Sequence, residues 1–287
     1  MKYQFIQQQQ KAFDVRLLCQ ILAVSRSGYY AWYKRPDGPR VKFNKTLTQT
    51  INNIFTQSRQ TYGYRRIQHA LKQQGNVVGK YRVARLMKAA NLAPKTQQKF
   101  KATTNSKHTL PAQENHLQRA FKPAKINQAW TSDITYIWTN GGRLYLAVIL
   151  DLFSRQVIGW AMDRRMTEPL VINALNMALF RRKITSGLLL HSDRGSQYAA
   201  NHFQALLKQN NIVCSMSRKG NCWDNAPTES FFHTLKVECI YQQSLTTREG
   251  AKQIIFDYIE VFYNRQRLHS TLNYQSPVDY EKSVVNL

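Results

Sequence analysis

The chain has 287 residues, 43% of them hydrophobic, which is enough to bury a real core in about two compact domains or one large domain with an attachment. Its 41 Lys and Arg against 16 Asp and Glu leave a formal charge of +25, far more than solubility requires. Such a charge attracts polyanions through release of their condensed counterions, so nucleic acid is the indicated partner; a membrane-surface role lacks the long basic amphipathic stripe with aromatic anchors.

The chain opens with a basic half: residues 1–128 carry 24 basic and 3 acidic side chains. Residues 15–35 predict two helices around a short turn at Val24, the second capped by Ser25, an outline that makes 1–40 a helix-turn-helix-like segment. "RPDGPR" (35–40) breaks the chain. A second helical DNA-binding unit is expected over 44–93. In its segment 76–92, Val83, Leu86, Met87 and Ala90 share one helical face and leave Arg82, Arg85 and Lys88 on the other. "YGYRRI" (62–67) adds Arg65 and Arg66 beside aromatics, with no acid anywhere in 46–92, so these five cations are candidate phosphate contacts as well as a solvated basic face. Residues 94–128 are polar, basic and aperiodic, and read as a linker that orders on nucleic acid.

At Ala129 the texture changes. "AWTSDITYIW" alternates as a strand, "NGG" (140–142) signals a hairpin, and "RLYLAVILD" (143–151) and "RQVIGWAM" (155–162) complete an antiparallel meander. An amphipathic helix over 167–183 follows, with a Thr cap and Pro in its first turn. Next come a buried strand at 187–193, a helix near 199–210, a strand at 212–217, and helices near 227–240 and 247–263. A meander followed by alternating strands and helices predicts an α/β fold with a mixed sheet flanked by helices over 129–287.

Acids are scarce, so their positions are informative. Asp133 lies within the first strand, Asp193 ends the buried strand beside Arg194, and Glu229 sits near the start of the helix that Pro227 opens. Strand ends are where open α/β sheets collect ligands. Each acid has a plainer reading: a salt-bridged turn for Asp193, a helix-dipole partner for Glu229. Asp224 is a rival third ligand on a less rigid loop, and Asp151 and Asp163 read as turn residues at strand ends.

The segments "WTSDITYI" (130–137), "LDLFSRQVIGW" (150–160), "HSDRGSQY" (191–198), "SRKGNCWDNAPTESFFHTLKVE" (217–238) and "YNRQRLHSTLNYQSP" (263–277), with "YGYRRIQHAL" (62–71), resemble the bacterial insertion-sequence-three group of transposases, specifically the downstream-frame (OrfB) integrase-like subunit. The resemblance implies a ribonuclease-H-like, retroviral-integrase-type catalytic core and carries the family's D-D-E triad over to Asp133, Asp193 and Glu229. The His/Cys zinc module of retroviral integrases has no counterpart here. Three carboxylates suit magnesium, a hard cation, and two ions about 4 Å apart can serve both ends of an in-line phosphoryl displacement, with Mn2+ as a substitute. Lys236, seven residues beyond Glu229, falls on the same helical face and is a candidate phosphate contact, as is His233 one turn on; Arg194 serves local structure or phosphate.

The implied activity is metal-dependent strand cleavage and strand transfer at insertion-sequence ends through an excised circular intermediate. The partners are double-stranded DNA as element end and target, a homodimer or higher assembly on DNA, and an upstream-frame subunit or frameshift fusion. Two other readings stay open: a DNA-binding regulator of transposition without activity, and a ribonuclease-H-like nuclease that only hydrolyses. Cys19, Cys214, Cys222 and Cys239 form no zinc pattern and read as free thiols. With no apolar leader, and with "LYLAVIL" (144–150) as the longest apolar run, a cytoplasmic, nucleoid-associated protein is expected.

Overall fold

The structure, a computed structural model, describes residues 1–95, 113–184, 186–218 and 222–285. Three short helices come first: α1 (Lys2–Gln9), α2 (Val15–Ile21) and α3 (Arg26–Lys34), closed around Ile6, Leu18, Cys19 and Tyr29. The turn between α2 and α3 puts Ala23 at φ +50°, and Ser25 Oγ caps α3 by accepting from Gly28 N at 3.0 Å.

The proline-rich break at 35–40 is the entry to a long helix. Pro39 occupies the first turn of α4 (Pro39–Gln57), where its missing N–H costs nothing. Helices α5 (Tyr64–Gln73) and α6 (Lys80–Ala89) complete this unit around Ile51, Ile67, Leu71 and Val83. The helix expected over 76–92 is therefore shorter, starting only at Lys80.

The sheet contains β1 (Ala129–Thr139), β2 (Gly142–Asp151), β3 (Val157–Asp163), β4 (Leu189–Ser192) and β5 (Val213–Met216) in the order β3-β2-β1-β4-β5. The first three strands form the antiparallel meander; β1–β4 and β4–β5 are parallel. Strand β2 is buried on both faces. Leu144, Leu146, Val148 and Leu150 enter one core, and Ala147 and Ile149 the other.

Helices α7 (Glu168–Arg181), α8 (Ser196–Ala199) and α9 (Asn201–Gln209) cover the second face. The approach of α7 requires a glycine: a Cβ on Gly159 would lie 2.2 Å from the Ala174 carbonyl oxygen. Thr167 precedes α7, but its hydroxyl makes no capping bond.

The first face is covered by α10 (Ala226–Glu238) and α11 (Arg248–Phe256), and α4–α6 join the same core. The helix expected through 263 changes to π-helix over Asp257–Tyr263, which buries Tyr258, Ile259, Phe262 and Tyr263 together; α12 (Pro277–Val285) ends the described chain. No described helix is long and apolar enough to cross a membrane.

The α4–α6 unit is bonded to the half that carries the sheet. Tyr62 Oη donates to the Gln266 carbonyl at 3.0 Å and accepts from Leu268 N at 2.7 Å, Arg59 pairs with Asp257 at 2.6 Å, and His69 stacks on Tyr274 at 3.7 Å. Of the segment expected to be a linker, 96–112 lies outside the described residues. Residues 113–128 form a strap on the sheet: Leu117 is buried, the N–H groups of His116 and Leu117 donate to Ser215 Oγ, and Asn115 and Arg119 bond Asp224.

Candidate active site

Strand register brings the first two acids together. Strands β1 and β4 are parallel and in step from Ala129↔Leu189 to Ser132↔Ser192, so the next residue on each chain is Asp133 and Asp193. Neighbouring strands lie about 4.8 Å apart, and residues in register share a face. That face is the one α10 covers, because Thr131, two residues before Asp133, meets Thr228 with 2.7 Å between their hydroxyl oxygens.

The third acid follows from that contact, since Glu229 is next to Thr228. Asn225 Nδ2 donates to the Ser132 carbonyl at 3.3 Å, and its Oδ1 lies 3.1 Å from Thr228 Oγ1. The start of α10 is thus tied to β1 at Thr131 and Ser132, just before Asp133. Glu229 itself is exposed in the first turn of α10, and Lys236 is half-buried in its last turn.

The four charges act on one another. Burial, then the neighbouring Asp193, pushes the Asp133 carboxyl well above its ordinary range; Glu229 adds to this, while the Ile134 N–H at 2.7 Å and Lys236 oppose it. Glu229 is raised by burial and by Asp193. Burial lowers the Lys236 ammonium, against the pull of Asp133. Asp193 Oδ1 accepts from Gly195 N at 2.9 Å, and Arg194 Nε donates to the Ser217 carbonyl at 2.7 Å, fixing the turn after β4 to the end of β5.

Three hard oxygen donors around a carboxyl held up by burial and a like charge fit a divalent cation, which would relieve that repulsion. Among the described residues, however, no three His, Cys, Asp or Glu side chains are gathered closely enough to hold an ion as they stand. Of the three acids, Glu229 is the exposed one.

The other acids have structural work. Asp224 is buried and held well below the usual carboxylate range by Arg218, with Arg119 and Asn115 as further partners, which leaves it saturated by donors. Asp151, pushed up to about 6 by burial, accepts from the N–H groups of Asn127 and Phe153 at a strand end. His191 lies between Ser215 Oγ at 2.9 Å and Ser217 Oγ at 3.1 Å, and burial lowers it to about 4.

Of the remaining candidates, His233 is exposed on α10. Arg65, Arg85 and Lys88 are exposed on α5 and α6. Arg82 donates to Asn44 Oδ1 at 2.7 Å and lies over Phe43. Arg66 is turned inward, half-buried and 3.5 Å from Glu238, so its guanidinium serves the junction of α5 with α10. Sequence reasoning missed Tyr198, buried with its hydroxyl 3.0 Å from Ser132 Oγ and kept neutral by burial and by the charges of Asp133 and Asp193.

Comparison with known proteins decides the family. The Integrase core domain family matches residues 123–222 and again, through a second description of the same name, 229–285; an HTH-like domain family matches 42–100. Transposase InsF for insertion sequence IS3A of Escherichia coli (strain K12) is 43% identical over 283 residues, 98% of both chains. The chain belongs to the IS3 family of insertion-sequence transposases. The Insertion element IS600 uncharacterized 31 kDa protein of Shigella sonnei is 44% identical over 265 residues, 92% of this chain and 97% of that protein.

Two solved structures share a low level of similarity: the simian T-cell lymphotropic virus intasome bound to a PP2A regulatory subunit (18% identity, 75% of this chain and 70% of that one, TM-score 0.48), and the HTLV-2 integrase catalytic core with magnesium (16%, 55% and 98%, TM-score 0.43). Within this IS3-family chain the HTH-like match falls on α4–α6; the two-helix outline at 15–35 lies outside it.

Proposed function

We propose that this IS3-family transposase cuts and joins DNA strands at insertion-sequence ends with Asp133, Asp193 and Glu229 as a D-D-E triad. The observation that carries this reading is the parallel register that sets Asp133 beside Asp193, with α10 tied to β1 one residue before Glu229. Those three carboxylates would hold Mg2+, two ions per site, with Mn2+ as substitute. When bound, the metal supplies charge neutralisation at the scissile phosphate and a sharpened oxygen nucleophile.

The chain's own residues do the rest. Asp133 on β1 and Asp193, the first residue after β4, would give two closely held oxygen donors, and Glu229 would close the set by a side-chain movement on a tethered helix. Lys236 and His233 line the same helix for phosphate, and Arg194 the turn beside Asp193. Arg65, Arg82, Arg85 and Lys88 offer the α4–α6 unit to double-stranded DNA, at element end or target. The further expectations are synapsis by at least a dimer and cooperation with an upstream-frame subunit or fusion.

The test is strand transfer of pre-cut element ends into a target duplex. Asp193→Asn and Glu229→Gln should each lower joining by more than the roughly 100-fold upper range for outer-shell partners of a metal. Both should keep DNA affinity while losing Mn2+ binding measured by titration calorimetry. Full activity in either variant refutes the triad and favours the regulator reading; cleavage without joined products in wild type favours the hydrolase.

A further inference from the structure

The tip of the β1–β2 hairpin carries an aromatic and basic ladder that runs to the acids. Strand β4 pairs with β1 only as far as Ser132, so β4 leaves the β1 edge uncovered from Asp133 onward. Along that edge Lys236, which feels Asp133, sets its Nζ 5.3 Å from the Tyr136 ring centre. Tyr136 meets Trp138 edge-on at 6.1 Å. Arg143, opposite Trp138 in the register, lies 4.7 Å over the indole and 5.8 Å over the Tyr136 ring. Arg248 donates to the Arg143 carbonyl at 3.0 Å from behind the turn. Trp138 remains 60% exposed, a large apolar surface for a strand end on which a core strand needs none.

An exposed indole beside the half-buried Tyr136 ring, interleaved with cations, suits unpaired nucleotides: the cations take phosphates and the rings take base faces, which a duplex keeps stacked inside. We propose that Tyr136, Trp138 and Arg143 form a platform for unpaired nucleotides of the substrate DNA, distinct from the phosphate contacts of the α4–α6 unit. Trp138 lies five residues along β1 from Asp133, about 17 Å at strand rise. A strand advances about 3.4 Å per nucleotide when stacked as in a duplex and further when unstacked, so the platform would meet it within about five nucleotides of a phosphate at the acids. This inference rests on the reading of Asp133 as part of the catalytic centre. Its binding test does not depend on catalysis.

The probes are a blunt duplex and the same duplex with single-stranded overhangs of increasing length on either strand, measured by fluorescence anisotropy with the full-length protein. Wild type and Asp193→Asn should both prefer the overhang by on the order of tenfold, the gain levelling off within about five nucleotides. Trp138→Ala should abolish the preference while binding the blunt duplex as wild type does, which also reports an intact fold. Trp138→Phe should keep most of it, and Arg143→Gln should lower the salt slope by about one phosphate contact. No overhang preference in wild type, or an undiminished one in Trp138→Ala, overturns the proposal. A strand-transfer-active Asp193→Asn would instead refute the triad and leave this result standing.

Discussion

Replacing Glu238 by Gln tests what holds α10 in place at the end opposite Glu229. Glu238 is buried and accepts from Arg267 Nε at 2.8 Å and Nη2 at 2.7 Å and from Tyr258 Oη at 2.8 Å, with Arg66 at 3.5 Å. The Arg267 and Glu238 side chains are only 5% and 9% exposed, so water screens this pair little. An amide keeps the shape but leaves Arg267 as a buried charge without its counter-ion, a change that costs about 3–5 kcal/mol. At about 2–4 °C per kcal/mol for a domain of this size, Tm should fall by about 10 °C.

The pH dependence gives a second, independent reading. Burial alone would raise the Glu238 carboxyl, but Arg267, Tyr258 and Arg66 together hold it below its ordinary value. A carboxyl depressed on folding stabilises the protein above its unfolded pKa, about 4.3, and loses that contribution as pH falls through the folded pKa. Urea unfolding of wild type and Glu238→Gln should therefore differ fully at pH 7, and the difference should begin to shrink only below about pH 4.3 and go on shrinking as pH falls through the folded pKa. A loss under about 1 kcal/mol, or a difference that does not shrink in acid, refutes the reasoning. Pairing Glu238→Gln with Arg267→Met should recover part of the loss, because the stranded charge is then gone.

Gly159→Ala sets its Cβ against backbone, the Ala174 oxygen at 2.2 Å and the Ala178 nitrogen at 3.0 Å, and should cost about 3 kcal/mol in urea unfolding, the upper range for overpacking. Thr228→Val keeps the volume but removes the hydroxyl shared with Thr131 and Asn225; a stability loss of about 1–2 kcal/mol and a larger fall in strand-transfer rate than in DNA affinity are expected. Asp224→Asn weakens the bonds to Arg119 and Arg218. Because those arginine side chains are 43% and 56% exposed, the stability loss should be only about 1 kcal/mol by thermal melting.

The catalytic half was legible where local chemistry and tertiary structure agree. The alternation of "AWTSDITYIW" and the "NGG" turn became the β1–β2 hairpin, with Gly142 at φ +102°, and Pro227 opens α10. What stayed hidden depends on partners far away in sequence. Tyr62 bonds Leu268 across 206 residues, and nothing in the periodicity of "YGYRRI" separates an arginine facing DNA from one facing Glu238. The strap at 113–128 is polar, as linkers are, but its donors are used by Ser215 and Asp224. Tyr198 stood within the quoted "HSDRGSQY", with nothing in its spacing to reveal that its hydroxyl meets Ser132 beneath both aspartates.

The two ways in which the acids are positioned have different mechanical consequences. Asp133 and Asp193 are set by a parallel ladder, so separating them means breaking the β1–β4 pairing at the centre of the sheet. Glu229 is set by a helix pinned at both ends, through Thr228 and Asn225 to β1 and through Glu238 to Arg267. Between those pins its side chain stays exposed and can change rotamer without disturbing either core. If the three acids are the metal ligands proposed above, two rigid donors and one adjustable donor would let them tighten around a cation and a phosphate, while the pins would limit how far α10 can follow. Loosening the Glu238 pin should therefore impair joining beyond its effect on the folded fraction, whereas a destabilising change on the α7 face, such as Gly159→Ala, should impair joining only in proportion to protein unfolded.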